Sequence, residues 1–427
     1  MHDDIRSNPA VSPVGRKPDR AYPETNFRTP DQVAASDDNA SRADVDAEPS
    51  TRNHPAHEPL LGRLALINTK KHKFWRLSKK QTWILAGVAL VVVIAAGGGL
   101  IYLAHSHKPL TVNIPTVTKP KAKPQTINTV SSTLTGLPIP PSLNNRPITA
   151  VMIENTPPAR PQSGLSQAGV VFEALTEGGI SRFMALYQDQ LPTYVGPVRS
   201  ARPYFIDWEL GFNAPYVHAG GSPQALNDIN TENVRNIDLL DYSNYATRIS
   251  SRPAPHNLYT NLQNILKLEN SLGWTTSSFS GWPRKTDAPV KQPNVTNINF
   301  NISYSTYNVH YSYNPVTDSY NRSEGGAPQI DANTNEQLSP KVVIGMVVPW
   351  SQGSLDSSDA YYSVYQDIGS GEALVFQDGS VTIGQWNKPS IDAPLEFTLA
   401  SSGQPLKLNA GQVWITALAS AKEASYN

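Results

Sequence analysis

Apolar residues are distributed unevenly along the chain, and their spacing divides it into segments. Through residues 1–60 they hardly cluster. Residues 81–104, "QTWILAGVALVVVIAAGGGLIYLA", form an unbroken uncharged run. From Trp83 to Leu103 this run would span about 31 Å as a helix, at about 1.5 Å per residue, which matches a bilayer core. Beyond residue 145 the runs become short. "PITAVMIEN", "AGVVFEAL" and "SRFMALYQ" read as buried strands, the last two joined by the turn "TEGGI". "SARPYFIDWEL" has helical spacing, with Phe205 and Trp208 three apart and Ile206 and Leu210 four apart, and its helix should start at Pro203. "APYVHAG" predicts a strand. "SPQALNDI" predicts a helix with Ser222 as N-cap, and "TNLQNILKLENSL" an amphipathic helix capped by Thr260.

From residue 290 onwards the period switches to two. "FNISYSTYNVHYSYNPVTDSYNRS", "PKVVIGMVVPW", "ALVFQDGSVTIGQW", "LEFTLA" and "QVWITAL" read as strands, with Asp378-Gly379 as a hairpin turn and "SQGSLDSSDA" as an exposed loop. The predicted fold is an α/β N-terminal ectodomain at 146–285 plus a mainly-β C-terminal ectodomain at 290–427. A disordered tail and one transmembrane helix precede them.

Composition sharpens the picture of the first 145 residues. Residues 1–60 hold eight prolines, eleven acids and seven bases, too polar to offset their ordering entropy, so a disordered cytoplasmic tail is expected. Residues 61–80 form a basic juxtamembrane segment. Seven bases precede the apolar run (Arg63 to Lys80) and four follow it (Lys108 to Lys123), which places the N-terminus inside and the remainder outside. The run also lies too far along the chain for a cleaved signal peptide. Residues 105–145, rich in Pro, Thr, Ser and Lys, read as a linker with a reach of roughly 35 Å as a coil.

A net charge of zero argues against a nucleic-acid partner. The absence of cysteine removes disulfides, Cys-based zinc sites and lipidated cysteine. No cofactor is expected. His218, His256 and Glu177 lack metal-ligand spacing, so no metal site is expected either.

One compositional anomaly bears on function. Between Lys123 and Lys267 there is no lysine, yet there are eight arginines; from residue 267 the count is two arginines and seven lysines. A guanidinium is planar, weakly hydrated and bidentate, which suits buried pairing or the recognition of carboxylate and phosphate. The polar residues that could form a site fall at predicted strand ends and loops: Glu177, Arg182, Arg199, Arg202, His218, Ser222, Arg252, His256 and Asn257. The first expectation is a cleft that binds an anionic ligand or partner. A hydrolase using Glu177 with His218 or His256 is an alternative, as is Glu177 paired with Glu173 or Asp207 for glycoside cleavage. A scaffold in which the arginines act as internal struts is the third.

The blocks "AVMIENTPPARPQSGLSQAGVVFEALTEGGISRF", "GPVRSARPYF", "HAGGSPQAL", "APHNLY", "GSGEALVFQDGSVTIGQWNK" and "GQVWI" resemble the signature of the YerB-like family of bacterial envelope proteins (domain of unknown function 3048). The resemblance covers roughly 145–418 and implies an extracytoplasmic location at the membrane; cell-wall components or envelope proteins are the expected partners. It implies no activity. Members are often lipoproteins, whereas this chain has an apolar run and no cysteine. Glu154 also stands where the resemblance leads one to expect Asp.

Overall fold

The computed structural model describes residues 128–355 and 360–427. The expected tail, juxtamembrane segment and membrane helix at 81–104 lie outside the described residues. Among the described residues, no helix is long and apolar enough to cross a membrane.

The described region is mostly β with few helices. Its main strands are β1 Thr149–Glu154, β2 Val170–Leu175, β3 Ser181–Tyr187, β4 Tyr216–His218, β5 Asn236–Asp238, β6 Asn297–Phe300, β7 Val309–Asn314, β8 Ser319–Glu324, β9 Ala327–Pro328, β10 Val342–Val347, β11 Gly369–Gln377, β12 Ser380–Lys388, β13 Glu396–Leu399, β14 Val413–Leu418 and β15 Ala424–Tyr426. Among the described residues three helices of eight residues or more accompany them, α1 Pro203–Leu210, α2 Pro223–Thr231 and α3 Leu262–Ser271, besides a single turn at Pro141–Asn144.

A ten-stranded sheet in the order β13-β12-β11-β10-β14-β2-β3-β1-β4-β5 forms the backbone of the unit. β10, β14 and β2 are mutually parallel, as are β1, β4 and β5, while β3 runs antiparallel between β2 and β1. These six strands, and β12, which reverses twice relative to β10, therefore end at one edge of the sheet. The unit β4–α2–β5 is a parallel crossover, the only fully alternating part of the expected α/β pattern among the described residues. A five-stranded sheet, β9-β8-β7-β6-β15, packs beside the large one.

Side-chain alternation splits the core into two layers. Ala150, Met152, Phe172 and Met184 face α1 and α2, meeting Phe205, Trp208, Ala225 and Ile229. Val151, Ile153, Val171 and Phe183 face the other way, towards Leu262 and Ile265 of α3 and Ile298, Phe300 and Tyr311 of the small sheet. Both faces of the sheet are covered, which explains why β1 to β3 read as continuous apolar runs.

Several expectations need revision. Residues 128–145 are folded onto the unit rather than serving as linker: Leu134 is fully buried, and the Ser132 hydroxyl donates to Asp189 (2.6 Å). The strands expected in separate domains at 146–285 and 290–427 share one sheet, because β14 pairs with β2. α1 has no polar face: Tyr204 through Glu209 are all buried, Asp207 and Glu209 included. The N-cap of α3 is Asn261, whose side chain accepts from the amides of Gln263 and Asn264, and not Thr260. "SQGSLDSSDA" is not simply a loop, since Trp350–Leu355 pairs with Ala360–Tyr365 as a two-stranded ribbon. The predicted Asp378-Gly379 turn is present, with φ of 57° and 72°, the left-handed pair that a tight hairpin requires.

Candidate functional site

The carboxyl edge of the large sheet gathers most of the predicted polar residues. Glu154 ends β1, Glu177 follows β2, His218 ends β4, and Arg182 opens the antiparallel β3 at the same edge. Open sheets commonly bind ligands there, because loops leave the strand ends without a further layer above them.

Arg202, just before α1, forms a bidentate pair with Glu177: its Nε donates to Oε1 at 2.6 Å and its Nη2 to Oε2. Burial pushes the Glu177 carboxyl up, but the Arg202 hydrogen bond and charge outweigh it, and the net shift is downward. Glu177 and Arg202, together with Ser222, Tyr204, Tyr362 and Tyr365, line a small cleft of ≈ 80 Å³. Ser222 is the N-cap of α2, as predicted, with its hydroxyl accepting from the Ala225 amide (3.3 Å).

Arg182 occupies the centre of the arginine group. It is 8% exposed, and its Nη1 donates to the Ser200 carbonyl at 2.7 Å. Among the described residues no carboxylate lies within ion-pair distance of it. Burial, then repulsion by Arg202 and Arg199, push its guanidinium down to about 10. Arg199 lies beyond it, with Nε 3.2 Å from Glu154 Oε2. The other oxygen of Glu154 accepts from His256 Nδ1 (2.8 Å) and from the Thr156 hydroxyl (2.6 Å). A continuous row results: Glu177, Arg202, Arg182, Arg199, Glu154, His256. Three guanidinium groups face two carboxylates.

The remaining predicted residues lie outside this row. His218 is fully buried, with Nδ1 2.8 Å from the Gly220 carbonyl and Nε2 2.6 Å from the Asn236 side-chain amide. Both ring nitrogens are occupied, so His218 fixes the turn into α2 and is closed to a ligand. Arg252 donates to the carbonyls of Ala159 (2.5 Å) and Pro161 (2.8 Å) and to the Tyr259 hydroxyl (2.9 Å). Asn257 accepts from Arg248 (2.9 Å) and donates to the Ile249 carbonyl (3.1 Å). These two hold their loop. Glu173, the proposed partner of Glu177 in glycoside cleavage, is fully buried and receives Arg322 Nη2 at 2.7 Å. Among the described residues no group of three His, Asp or Glu could hold a metal ion.

Sequence reasoning missed Glu154 as a site residue. It lies at the end of an apolar strand, 102 positions from His256, so nothing in the linear sequence joins the two. Its replacement of an expected Asp was the one available signal.

The family model described as "Protein of unknown function (DUF3048) N-terminal domain" matches residues 134–275, and the corresponding C-terminal domain matches 298–415. "Putative lipoprotein YerB" of Bacillus subtilis (strain 168) is 32% identical over 299 residues, which is 69% of this chain and 88% of that protein. A crystal structure of the YerB protein from Bacillus subtilis superposes with a TM-score of 0.62 at 29% identity, covering 70% of this chain and 99% of that one. All the row residues fall within the matched segments or beside their strands. The chain belongs to the YerB-like family, whose two domains are described only as being of unknown function.

Proposed function

We propose that this is an envelope protein, held to the membrane by residues 81–104 with its folded unit outside, which binds an anionic ligand of the cell wall through Arg182, Arg199 and Arg202. The flanking bases support the orientation. The Bacillus subtilis relative carries a lipoprotein name, which supports membrane association. An apolar span would replace the lipid anchor in a chain without cysteine.

Arg182 carries the ligand reading. A buried guanidinium flanked by two like charges and bonded to one carbonyl is costly, because the attraction of Glu177, itself paired with Arg202, only partly offsets its desolvation. An incoming anion supplies the remaining counter-charge. The scaffold reading has in its favour the arginines bonded to backbone carbonyls, such as Arg146, Arg235 and Arg252, but these three lie off the row.

The test uses residues 128–427, since the solved relative consists almost entirely of the equivalent region. Co-sedimentation with purified cell wall is compared for wild type, Arg182→Gln and Arg199→Lys, after circular dichroism shows unchanged folds. Loss of a charge-assisted contact is worth about 1.5–3 kcal/mol, so binding should weaken roughly tenfold or more in Arg182→Gln. Added salt should weaken the wild type. Equal pelleting of all three proteins removes the anionic-ligand reading and leaves the scaffold.

A further inference from the structure

We propose that Glu154 and His256 form a proton-transfer dyad that gives the arginine row hydrolytic activity towards phosphate esters. This rests on the anion-binding reading above and goes beyond it.

The dyad has the geometry such chemistry requires. His256 Nδ1 lies 2.8 Å from Glu154 Oε1, and the Glu154 side chain is 2% exposed. A carboxylate on Nδ1 fixes that nitrogen as the donor and leaves Nε2 as the acceptor in the neutral ring. Nε2 makes no hydrogen bond among the described residues, and the His256 side chain keeps 19% of its surface. The Thr156 hydroxyl at 2.6 Å and the Pro197 carbonyl, which accepts from the Glu154 amide at 2.9 Å, hold the carboxylate in place. This arrangement differs from the hydrolase expected from sequence: Glu177 is committed to Arg202, and His218 has no free nitrogen.

Arg199 joins the dyad to the anion site. Its Nε is 3.2 Å from Glu154 Oε2, yet neither atom has hydrogen-bond geometry, so the guanidinium is near the carboxylate without being locked onto it. It remains available to an anion shared with Arg182. A phosphate group offers up to two charges and three terminal oxygens, matching several guanidinium forks better than one carboxylate does. In the reaction, a water molecule attacks phosphorus and its proton passes to His256 Nε2. The ester P–O bond breaks, and the leaving alkoxide takes that proton back from the imidazolium. One ester and one water give one phosphate and one alcohol.

The experiment uses the full chain in detergent micelles, with EDTA present throughout. 4-Nitrophenyl phosphate and bis(4-nitrophenyl) phosphate are the hydrolysis probes, and calorimetric titration with inorganic phosphate measures binding. The expected result is nitrophenolate release by wild type. His256→Gln and Glu154→Gln should each lower kcat by roughly 100-fold or more, a fall that exceeds any change in phosphate affinity. Arg182→Met should lose phosphate binding. If wild type binds phosphate and releases no nitrophenolate from either ester, the dyad proposal is wrong while anion binding stands. If wild type binds no phosphate, the phosphate reading of the arginines falls and the dyad with it. Turnover that survives in folded His256→Gln also overturns the proposal.

Discussion

Six of the eight arginines between Lys123 and Lys267 donate to backbone carbonyls: Arg146 to Gln188, Arg160 to Asn155 and Thr306, Arg182 to Ser200, Arg202 to Ala201, Arg235 to Asn213 and Thr276, and Arg252 to Ala159 and Pro161. Long loops carry carbonyls that no sheet ladder satisfies, and a planar fork can hold two of them at a fixed angle where an ammonium holds a single point. The refusal of lysine is therefore mainly a matter of loop architecture. The proposed ligand role is confined to the row of Arg182, Arg199 and Arg202. Two arginine classes should behave differently. Arg252→Lys should cost about 1–2 kcal/mol of stability, seen as a lower urea midpoint, and leave wall binding within twofold. A folded Arg252→Lys that loses binding would extend the site to that loop. The sequence could separate arginine from lysine but could not sort the arginines, because their partners are carbonyls, which every residue has. For the same reason His218 looked like a site residue: its Gly-rich turn supplies the carbonyl that closes it off.

At the scale of elements, β8 delivers Arg322 between β2 and the loop after β1. The guanidinium is fully buried; its Nη2 donates to Glu173 at 2.7 Å, Nη1 lies 3.5 Å from Glu324, and Trp414 lies beneath it at 4.3 Å. Glu324 in turn receives the Asn155 side-chain amide (2.5 Å) and lies 3.0 Å from Arg160 Nη2. Asn155 follows Glu154, so this buried network holds one end of the arginine row. Burial is the main cause that pushes Glu324 up to about 7, with Glu173 adding to it and Arg322 opposing it. Burial also pushes Glu209 up to about 8 and Glu269 up to about 7. A carboxyl raised in the folded state favours folding when protonated. Its contribution is complete below about pH 4.5 and is lost as pH climbs through 7 to 8. Urea midpoints should therefore fall between pH 5 and pH 8, and Glu324→Gln, which keeps the shape, should flatten part of that fall. A midpoint that rises across this range, or an unchanged slope in the variant, would show that these groups are charged in the fold. Burial on both faces made β1, β2 and β3 readable as continuous apolar runs. The ribbon of Trp350–Leu355 and Ala360–Tyr365 was not readable, because its serines and Gly353 break any alternation, and Ser363 is held there by a hydrogen bond to the Thr176 carbonyl (3.0 Å).

Across the whole unit, the order of the sheet makes the two family segments interdependent. β14, from the end of the chain, inserts between β10 and β2, so Trp414 pairs with Val171 on one side and Val343 on the other. Without residues 290–427, β2 would present a bare edge beside fully buried Val171 and Phe172, and Glu173 would be left in apolar surroundings without Arg322. Without residues 128–289, β14 would lose one neighbour, and Arg322 would lose Glu173 as its partner. The change in composition near residue 285 suggests two domains because it marks where helices give way to strands; linear sequence carries no sign of which strands pair across it. Residues 128–289 and 290–427, expressed separately, should each lack a cooperative unfolding transition. Mixed after co-refolding from urea, they should recover one transition and migrate as a one-to-one complex on size exclusion. If the 128–289 fragment unfolds cooperatively by itself, the pairing of β14 with β2 is an interface between independent domains. The arginine row, which lies wholly in that fragment, should then bind its anion without the C-terminal segment. If only the complex binds, the buried Arg322 network is what holds Glu154 and its neighbours in register.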